Sequence, residues 1–180
     1  MIPYIGGKNK MAKWIAPYIP NNIETYVEVF GGAYWVYCKS RIYKKKNLKT
    51  IVYNDFNKYM ANLFACLNNP TKFLSLVKDI EAQDEDLFNK FQEEINTRKS
   101  FTIPDFDLAM KYAYLATQVF SGSKIMSSGF IKIDDDKRNK FDTFKKRLAN
   151  FRYQEKLEAI TDIENLDYSE VIEKYDSDKT

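Results

Sequence analysis

The sequence contains no histidine among its 180 residues. This absence excludes histidine metal ligands, Ser-His-Asp and Cys-His catalytic arrangements, and imidazole general bases. Any chemistry must therefore depend on carboxylates, amides, hydroxyls, lysines or the backbone.

Cysteines and long apolar runs are also scarce. Cys38 and Cys66 have no metal-binding spacing, so we expect buried free thiols in a reducing cytosol. No apolar run approaches the length of a membrane span, and no charged segment precedes an apolar one as in a signal peptide. These features predict a cytoplasmic protein that does not contact a membrane.

The net charge is only +3, but its distribution along the chain is uneven. Residues 1–60 carry 10 basic and 3 acidic groups, and residues 111–156 carry 11 and 5. The segments after each of these two blocks are acidic. Two separated basic blocks could form one positive face that binds nucleic acid. Ordinary solvated lysines explain the same charges equally well.

The order of strand and helix patterns predicts an α/β fold with a Rossmann-like sheet. "TYVEVF" and "KTIVYND" have strand composition, and "YWVYCKSRIY" between them has a helical pattern. A third short strand is expected in "EAITDIE". The three strands should lie at about residues 25–30, 50–54 and 158–162.

The gap between the second and third strands is long and mostly helical, which implies an inserted subdomain. We predict a sheet domain from residues 1–57 and 154–180, with a helical insertion at 58–153. Within the insertion, Asp105 should cap a long amphipathic helix. "SGSKIMSSGFIKIDDD" predicts a loop or β-hairpin, and "KRNKFDTFKKRLANF" a basic amphipathic helix.

Two glycine pairs stand where the backbone could approach a ligand. "IGGKN" is not a P-loop, because no glycine lies five residues before Gly7 and Asn9 replaces Ser or Thr. "VEVFGGAYW" is not G-x-G-x-x-G, because Tyr34 and Trp35 occupy the later positions. Each pair is therefore either a tight turn beside a ligand or a plain structural turn.

Asp55 follows the second predicted strand directly. In nucleoside-binding α/β folds an acidic residue at this position accepts hydrogen bonds from ribose hydroxyls. Alternatively, Asp55 caps the helix that begins near Lys58.

The ordered motifs closely resemble the Dam-like DNA adenine-N6 methyltransferases. "PYIGGK", "VEVFGGA" and "VYND" are similar to the family's aromatic-x-G-G-K segment, its F-x-G-x turn, and the acidic residue after its second strand. "YLATQVFSGSKI" is similar to its recognition-domain stretch, and "ENLDYSEVI" to the segment before its catalytic strand. The resemblance covers essentially the whole chain. It implies S-adenosylmethionine as the methyl donor and double-stranded DNA as the partner.

The resemblance also implies roles for individual residues at the cofactor. Tyr4 would lie near the adenosine or methionine, Lys8 would meet the methionine carboxylate, and Asp55 would bind the ribose. Residues 165–167 would line the adenine end. The expected cofactor-binding residues are Tyr4, Gly7, Lys8, Phe30, Gly31, Gly32 and Asp55.

For DNA, the resemblance implies that residues 121–130 approach the bases around a flipped adenine and that basic side chains contact phosphates. The expected DNA-binding residues are Ser121, Ser123, Lys124, Ser127, Lys132, Lys137, Arg138 and Lys140, with Lys145, Lys146 and Arg147 as further phosphate contacts.

The family's catalytic D-P-P-Y tetrapeptide has no counterpart in this sequence, whose five prolines are all isolated. In the family, its Asp and a proline carbonyl accept the adenine amino hydrogens, and its Tyr stacks on the base. No catalytic residue is therefore predicted. In the family's strand order the first strand would be left as a hydrophobic edge, so we expect a shortened or split enzyme. A second chain or a missing C-terminal part would complete the sheet.

Three functions follow as hypotheses. The first is the cofactor-binding and DNA-recognition portion of such an enzyme, inactive alone. The second is a non-catalytic DNA-binding or interaction protein derived from one, which salt-sensitive DNA binding without cofactor affinity would favour. The third is an unrelated nucleotide-binding α/β domain, which NAD or ATP binding would favour.

Overall fold

The computed structural model describes residues 2–4, 6–119, 125–133 and 138–180. Within these ranges three parallel strands form one sheet in the order β1-β2-β3. They are β1 (Thr25–Glu28), β2 (Thr50–Asn54) and β3 (Asp162–Glu164). The predicted α/β class is confirmed.

Helices make up most of the remaining described chain. The α-helices are α1 (Ala12–Ile15), α2 (Trp35–Lys39), α3 (Lys58–Leu67), α4 (Pro70–Val77), α5 (Glu85–Thr97), α6 (Phe106–Gln118), α7 (Lys140–Leu148), α8 (Phe151–Glu158) and α9 (Tyr168–Tyr175). Two short 3-10 helices lie at Ala16–Tyr18 and Ile42–Lys44.

Helices α3 to α7 begin where the sequence supplies a side-chain cap. In each case an Asn or Asp oxygen accepts a backbone N–H of the first turn, which would otherwise have no partner. Asp105 caps α6 as predicted, through the N–H of Leu108 at 3.0 Å. The caps of α3, α4, α5, α6 and α7 are Asn57, Asn69, Asp84, Asp105 and Asn139.

The third strand was predicted too early in the sequence. Residues 158–162 were expected to form it, but α8 continues to Glu158 and the strand begins at Asp162. Leu157 and Ile160 are buried three residues apart, which suits a helical turn. The amide of Asn68 donates to the carbonyls of both at 2.9 Å and so satisfies this helix end.

The first strand is also shorter than predicted. Before it, helical structure begins at Ala12, and Pro17 lies in the 3-10 turn that follows. The first strand ends at Glu28, and the chain then enters the glycine turn.

One hydrophobic core joins the sheet to α3–α7. Near the sheet it contains stacked aromatic rings: Tyr53 lies 4.0 Å from Phe64, and Tyr34 lies 4.5 Å from Tyr37, between ring centroids. Because α8 crosses residue 153 and the core is continuous, packing marks no boundary at the predicted limits of the insertion. The separate recognition subdomain remains a prediction.

Cys66 lies in this packed interior, Cys38 is half-buried against it, and the two form no disulfide. Burial raises the pKa of both thiols, Cys38 and Cys66, to about 12. They are therefore protonated and poorly reactive near neutral pH.

Strand β1 is an edge strand within the described chain, because β2 is its sole strand neighbour. A cavity of about 310 Å³ runs along its other side, lined by Val27, Val29, Ile15 and Val36 among others. At the start of this edge, the Lys179 carbonyl accepts the N–H groups of Glu24 and Thr25 at 2.8 and 3.1 Å.

Candidate functional site

A cavity of about 260 Å³ lies at the carboxyl ends of β1 and β2, where α/β sheets commonly bind ligands. Seven of the residues predicted to lie at the cofactor line it: Tyr4, Gly7, Lys8, Phe30, Gly31, Gly32 and Asp55. They come from three separate segments of the chain. Gly6, Glu28, Ala33, Trp35 and Phe56 complete the lining.

The turn after β1 is held in place by the end of β2. The Gly31 N–H donates to the Asn54 carbonyl at 2.7 Å, and the Tyr53 hydroxyl donates to the Gly32 carbonyl at 2.8 Å. The Asn54 amide donates to the Val29 carbonyl at 2.8 Å. Gly32 adopts a φ of 48°, a left-handed conformation that favours glycine. The turn is therefore a rigid backbone wall of the cavity.

Asp55 supports that wall directly. Its Oδ2 accepts the Gly32 N–H at 2.7 Å, and its Oδ1 accepts the Asn57 N–H at 2.8 Å. The cap of α3 is Asn57 rather than Asp55, so the alternative prediction for Asp55 as the helix cap is wrong. Asp55 instead joins the turn after β1 to the segment after β2, while its side chain faces the cavity.

The N-terminal glycine segment forms the opposite wall. The Gly7 N–H donates to the Tyr4 carbonyl at 3.1 Å, and Gly6 has a φ of 71°. A Cβ on Gly7 would lie 2.9 Å from the Tyr4 carbonyl oxygen, and one on Gly32 would lie 3.0 Å from the Tyr4 ring. Both glycines therefore permit a close approach of two chain segments.

Lys8 lies at the mouth of this cavity. Its ammonium group is 3.5 Å from the Phe30 carbonyl and is solvent-exposed, so it remains available to a bound anion.

Residues 165–167 do not line this cavity. Asn165 donates to the carbonyls of Asp55 and Phe56, and Leu166 donates to the Asn54 side chain at 3.0 Å. Asp167 caps α9. These residues fasten the end of β3 to the end of β2.

Glu28 is a cavity residue that the sequence did not single out. It ends β1, and its Oε1 accepts the Tyr26 hydroxyl at 2.7 Å and the Tyr37 N–H at 2.8 Å. Burial raises the pKa of Glu28 from about 4.5 to about 7, although these two hydrogen bonds and the charge of Lys8 act in the opposite direction. An acidic residue that follows alternating strand residues and precedes a glycine turn is the signal that could have identified it.

Replacing Glu28 with glutamine should change how stability depends on pH. Glutamine keeps an oxygen acceptor but cannot ionise. In the wild type the unfolded chain loses the Glu28 proton above about pH 4.5, whereas the folded chain keeps it up to about pH 7. Wild-type stability therefore falls as pH rises through this window. Relative to Glu28→Gln, we expect a fall of about 2 kcal/mol between about pH 5 and pH 8, measured by urea denaturation.

The exposed Glu81 provides the matched control for this experiment. Glu81→Gln should retain the wild-type pH profile. Parallel profiles for wild type and Glu28→Gln would contradict the prediction.

The residues predicted to bind DNA are described only in part. Ser121, Ser123, Lys124 and Lys137 lie outside the described residues. Ser127 and Lys132 belong to the irregular segment 125–133 over α5 and α6, anchored by hydrogen bonds from Gln92 to the carbonyls of Ile125 and Ser128. Arg138 and Lys140 line one shallow cavity beside Trp35 at the start of α2. The DNA-binding role of this set remains a prediction.

Among the described residues no group of three or more cysteine or acidic side chains is arranged to hold a metal ion. None of the described helices is both long and apolar enough to cross a membrane.

Comparison with known proteins gives the same family as the motifs. The model of the D12 class N6 adenine-specific DNA methyltransferases matches residues 4–180. The modification methylase StsI of Streptococcus sanguinis is 28% identical over 102 residues, which cover 52% of this chain and 15% of that relative. The chain therefore belongs to the D12 class N6 adenine-specific DNA methyltransferase family.

Proposed function

We propose that these residues form the S-adenosylmethionine-binding and DNA-recognition portion of a DNA adenine-N6 methyltransferase. The observation that carries the proposal is the convergence of seven predicted cofactor residues on one cavity. S-adenosylmethionine would supply the methyl group, and duplex DNA would supply the acceptor nitrogen of adenine.

The charges of the cavity fit the amino-acid end of this cofactor. Lys8 and Glu28 both line it, so an ammonium and a carboxyl group are available for a bound zwitterion. The cofactor's own ammonium group would favour ionised Glu28 and lower its pKa. Both groups would therefore orient the methionine part.

The other end of the cavity fits the nucleoside part. A carboxylate offers about four acceptor positions, so Asp55 can hold two backbone N–H groups and still accept ribose hydroxyls. The cavity is slightly smaller than the roughly 300 Å³ typical of ligand sites. We therefore place the adenine ring at the rim, against the exposed ring of Phe56.

Calorimetric titration with S-adenosylmethionine tests the proposal. Lys8→Ala should weaken binding roughly tenfold to 100-fold, because a charged hydrogen bond contributes about 1.5–3 kcal/mol. It should change the free energy of unfolding little, because the Lys8 side chain is exposed. Lys10→Ala removes an exposed charge two residues away that does not line the cavity, and it should bind as the wild type does.

Equal affinity in the Lys8 and Lys10 variants would contradict the role of Lys8. Binding of ATP or NAD in preference to S-adenosylmethionine would contradict the proposed cofactor.

We further propose that the chain alone does not transfer the methyl group, because none of its isolated prolines can form the D-P-P-Y tetrapeptide. The edge of β1, with its apolar cavity, would pair with an added strand that carries this tetrapeptide. Labelled methyl transfer to duplex DNA by the purified chain would refute this. Transfer that appears when a strand-plus-D-P-P-Y peptide is added would support it.

A non-catalytic DNA-binding protein is the second candidate, favoured by the basic surface beside α2 and α7. If the chain binds DNA but has no affinity for S-adenosylmethionine, this second candidate is favoured.

A further inference from the structure

A second, larger groove of about 560 Å³ lies between α2 and the pair α7 and α8. Basic side chains dominate its lining, and no described carboxylate contributes to it. A wall that carries this much positive charge attracts anions. The basic residues are Lys39, Arg138, Lys146, Arg147, Arg152 and Lys156.

The aromatic ring of Trp35 holds two of these charges in place. The Lys39 ammonium lies 5.7 Å from the Trp35 ring centroid, and the Arg147 guanidinium lies 5.8 Å from it. Such cation–π contacts hold a cation against the ring. Lys39 also donates to the Asn9 carbonyl at 2.8 Å, a neutral acceptor.

Lys156 is positioned by neutral partners too. Its ammonium donates to the Cys38 carbonyl and lies 5.3 Å from the Tyr43 ring. Lys146 and Arg152 are exposed, and neither forms an ion pair with another described residue. The groove therefore combines pre-positioned cations on α2 and α8 with open ones at its rim.

The groove begins beside the candidate cofactor cavity. Trp35 lines both of them, and it also lines the shallower cavity that contains Arg138 and Lys140. A duplex whose target base entered the cofactor cavity would have its flanking backbone close to this groove.

We propose that the groove binds successive backbone phosphates of duplex DNA beside the target adenine. The inference rests on the proposed function and adds cations of α2 and α8 to the predicted phosphate contacts of α7. Charge spread over three helices suits a chain of phosphates better than a single small anion, which a few converging donors would satisfy. The aromatic floor formed by Trp35 and Tyr153 suits the apolar edge of the deoxyribose chain.

The test compares two double variants of equal charge change. Lys146→Ala/Arg152→Ala removes two rim charges of the groove, whereas Lys90→Ala/Lys99→Ala removes two exposed lysines outside it. Binding to a duplex of about 20 base pairs is measured by fluorescence anisotropy between about 50 and 200 mM salt. Thermal unfolding establishes that both variants are folded.

The groove variant should bind DNA about tenfold more weakly at about 100 mM salt. A plot of the logarithm of its association constant against the logarithm of the salt concentration should have a slope shallower than that of the wild type by between one and two. The control should keep the wild-type slope. Calorimetric affinity for S-adenosylmethionine should be unchanged in both.

Equal slopes and affinities for the two double variants would overturn the groove proposal. An unchanged DNA slope with lost binding of inorganic triphosphate would also overturn it, in favour of a small polyanion. If the wild type fails to bind S-adenosylmethionine, the proposed function fails, whichever slope is found.

Discussion

Replacing Gly31 with alanine should lower the free energy of unfolding by about 3 kcal/mol or more and abolish the candidate cofactor site. A Cβ at this position would lie 2.4 Å from Cε2 of Tyr53 and 2.9 Å from the backbone oxygen of Asn54. Tyr53 cannot move aside, because it is fully buried, stacks on Phe64 and donates to the Gly32 carbonyl. The turn itself would have to shift.

Gly129→Ala is the matched control for this variant. A Cβ at this position meets no atom within 4 Å. The free energy of unfolding of this variant should therefore stay within about 0.5 kcal/mol of the wild-type value. Urea denaturation followed by tryptophan fluorescence measures both. Equal stability of the two variants would show that the turn is not confined as the structure indicates.

The second large effect is expected at Asp55. Asp55→Asn replaces one carboxylate oxygen with an NH₂ donor, which must face either the Gly32 or the Asn57 N–H. A buried N–H that loses an ionised acceptor costs about 1.5–3 kcal/mol, and donor–donor repulsion adds to this. We expect a loss of about 3 kcal/mol in the free energy of unfolding, together with at least tenfold weaker S-adenosylmethionine binding.

Asp79→Asn changes a carboxylate that is 88% exposed, and it should leave both quantities unchanged. The stability measurement separates two views of Asp55. If Asp55 acted on the ribose alone, the variant would lose affinity and keep wild-type stability, which would contradict the supporting role described above.

The cofactor residues could be grouped from sequence because of a property of parallel sheets. Carboxyl ends of neighbouring strands meet at one edge, so the turn after β1 and the residue after β2 must be close once the strand order is known. The N-terminal segment could be added only through its resemblance to a family motif. Its contact with Trp35 and Gly32 is a tertiary one.

The third strand and Glu28 show where sequence patterns were insufficient. "EAITDIE" has strand-like composition, but the contact of Asn68 with the carbonyls of Leu157 and Ile160 keeps its first residues at a helix end. Glu28 differs little from any other charged residue in a strand until its burial is known. Its raised pKa follows from that burial.

By itself, the sequence determined the kinds of chemistry that a chain without histidine permits, the start of most helices, and the glycine turn. These are local properties, set by side-chain type and by backbone freedom within a few residues. The tertiary structure alone decided that Asp55 braces the turn, that Glu28 faces the cavity, and that cations of α2, α7 and α8 share one groove. Each of these depends on contacts between residues far apart in the chain, which local patterns do not encode.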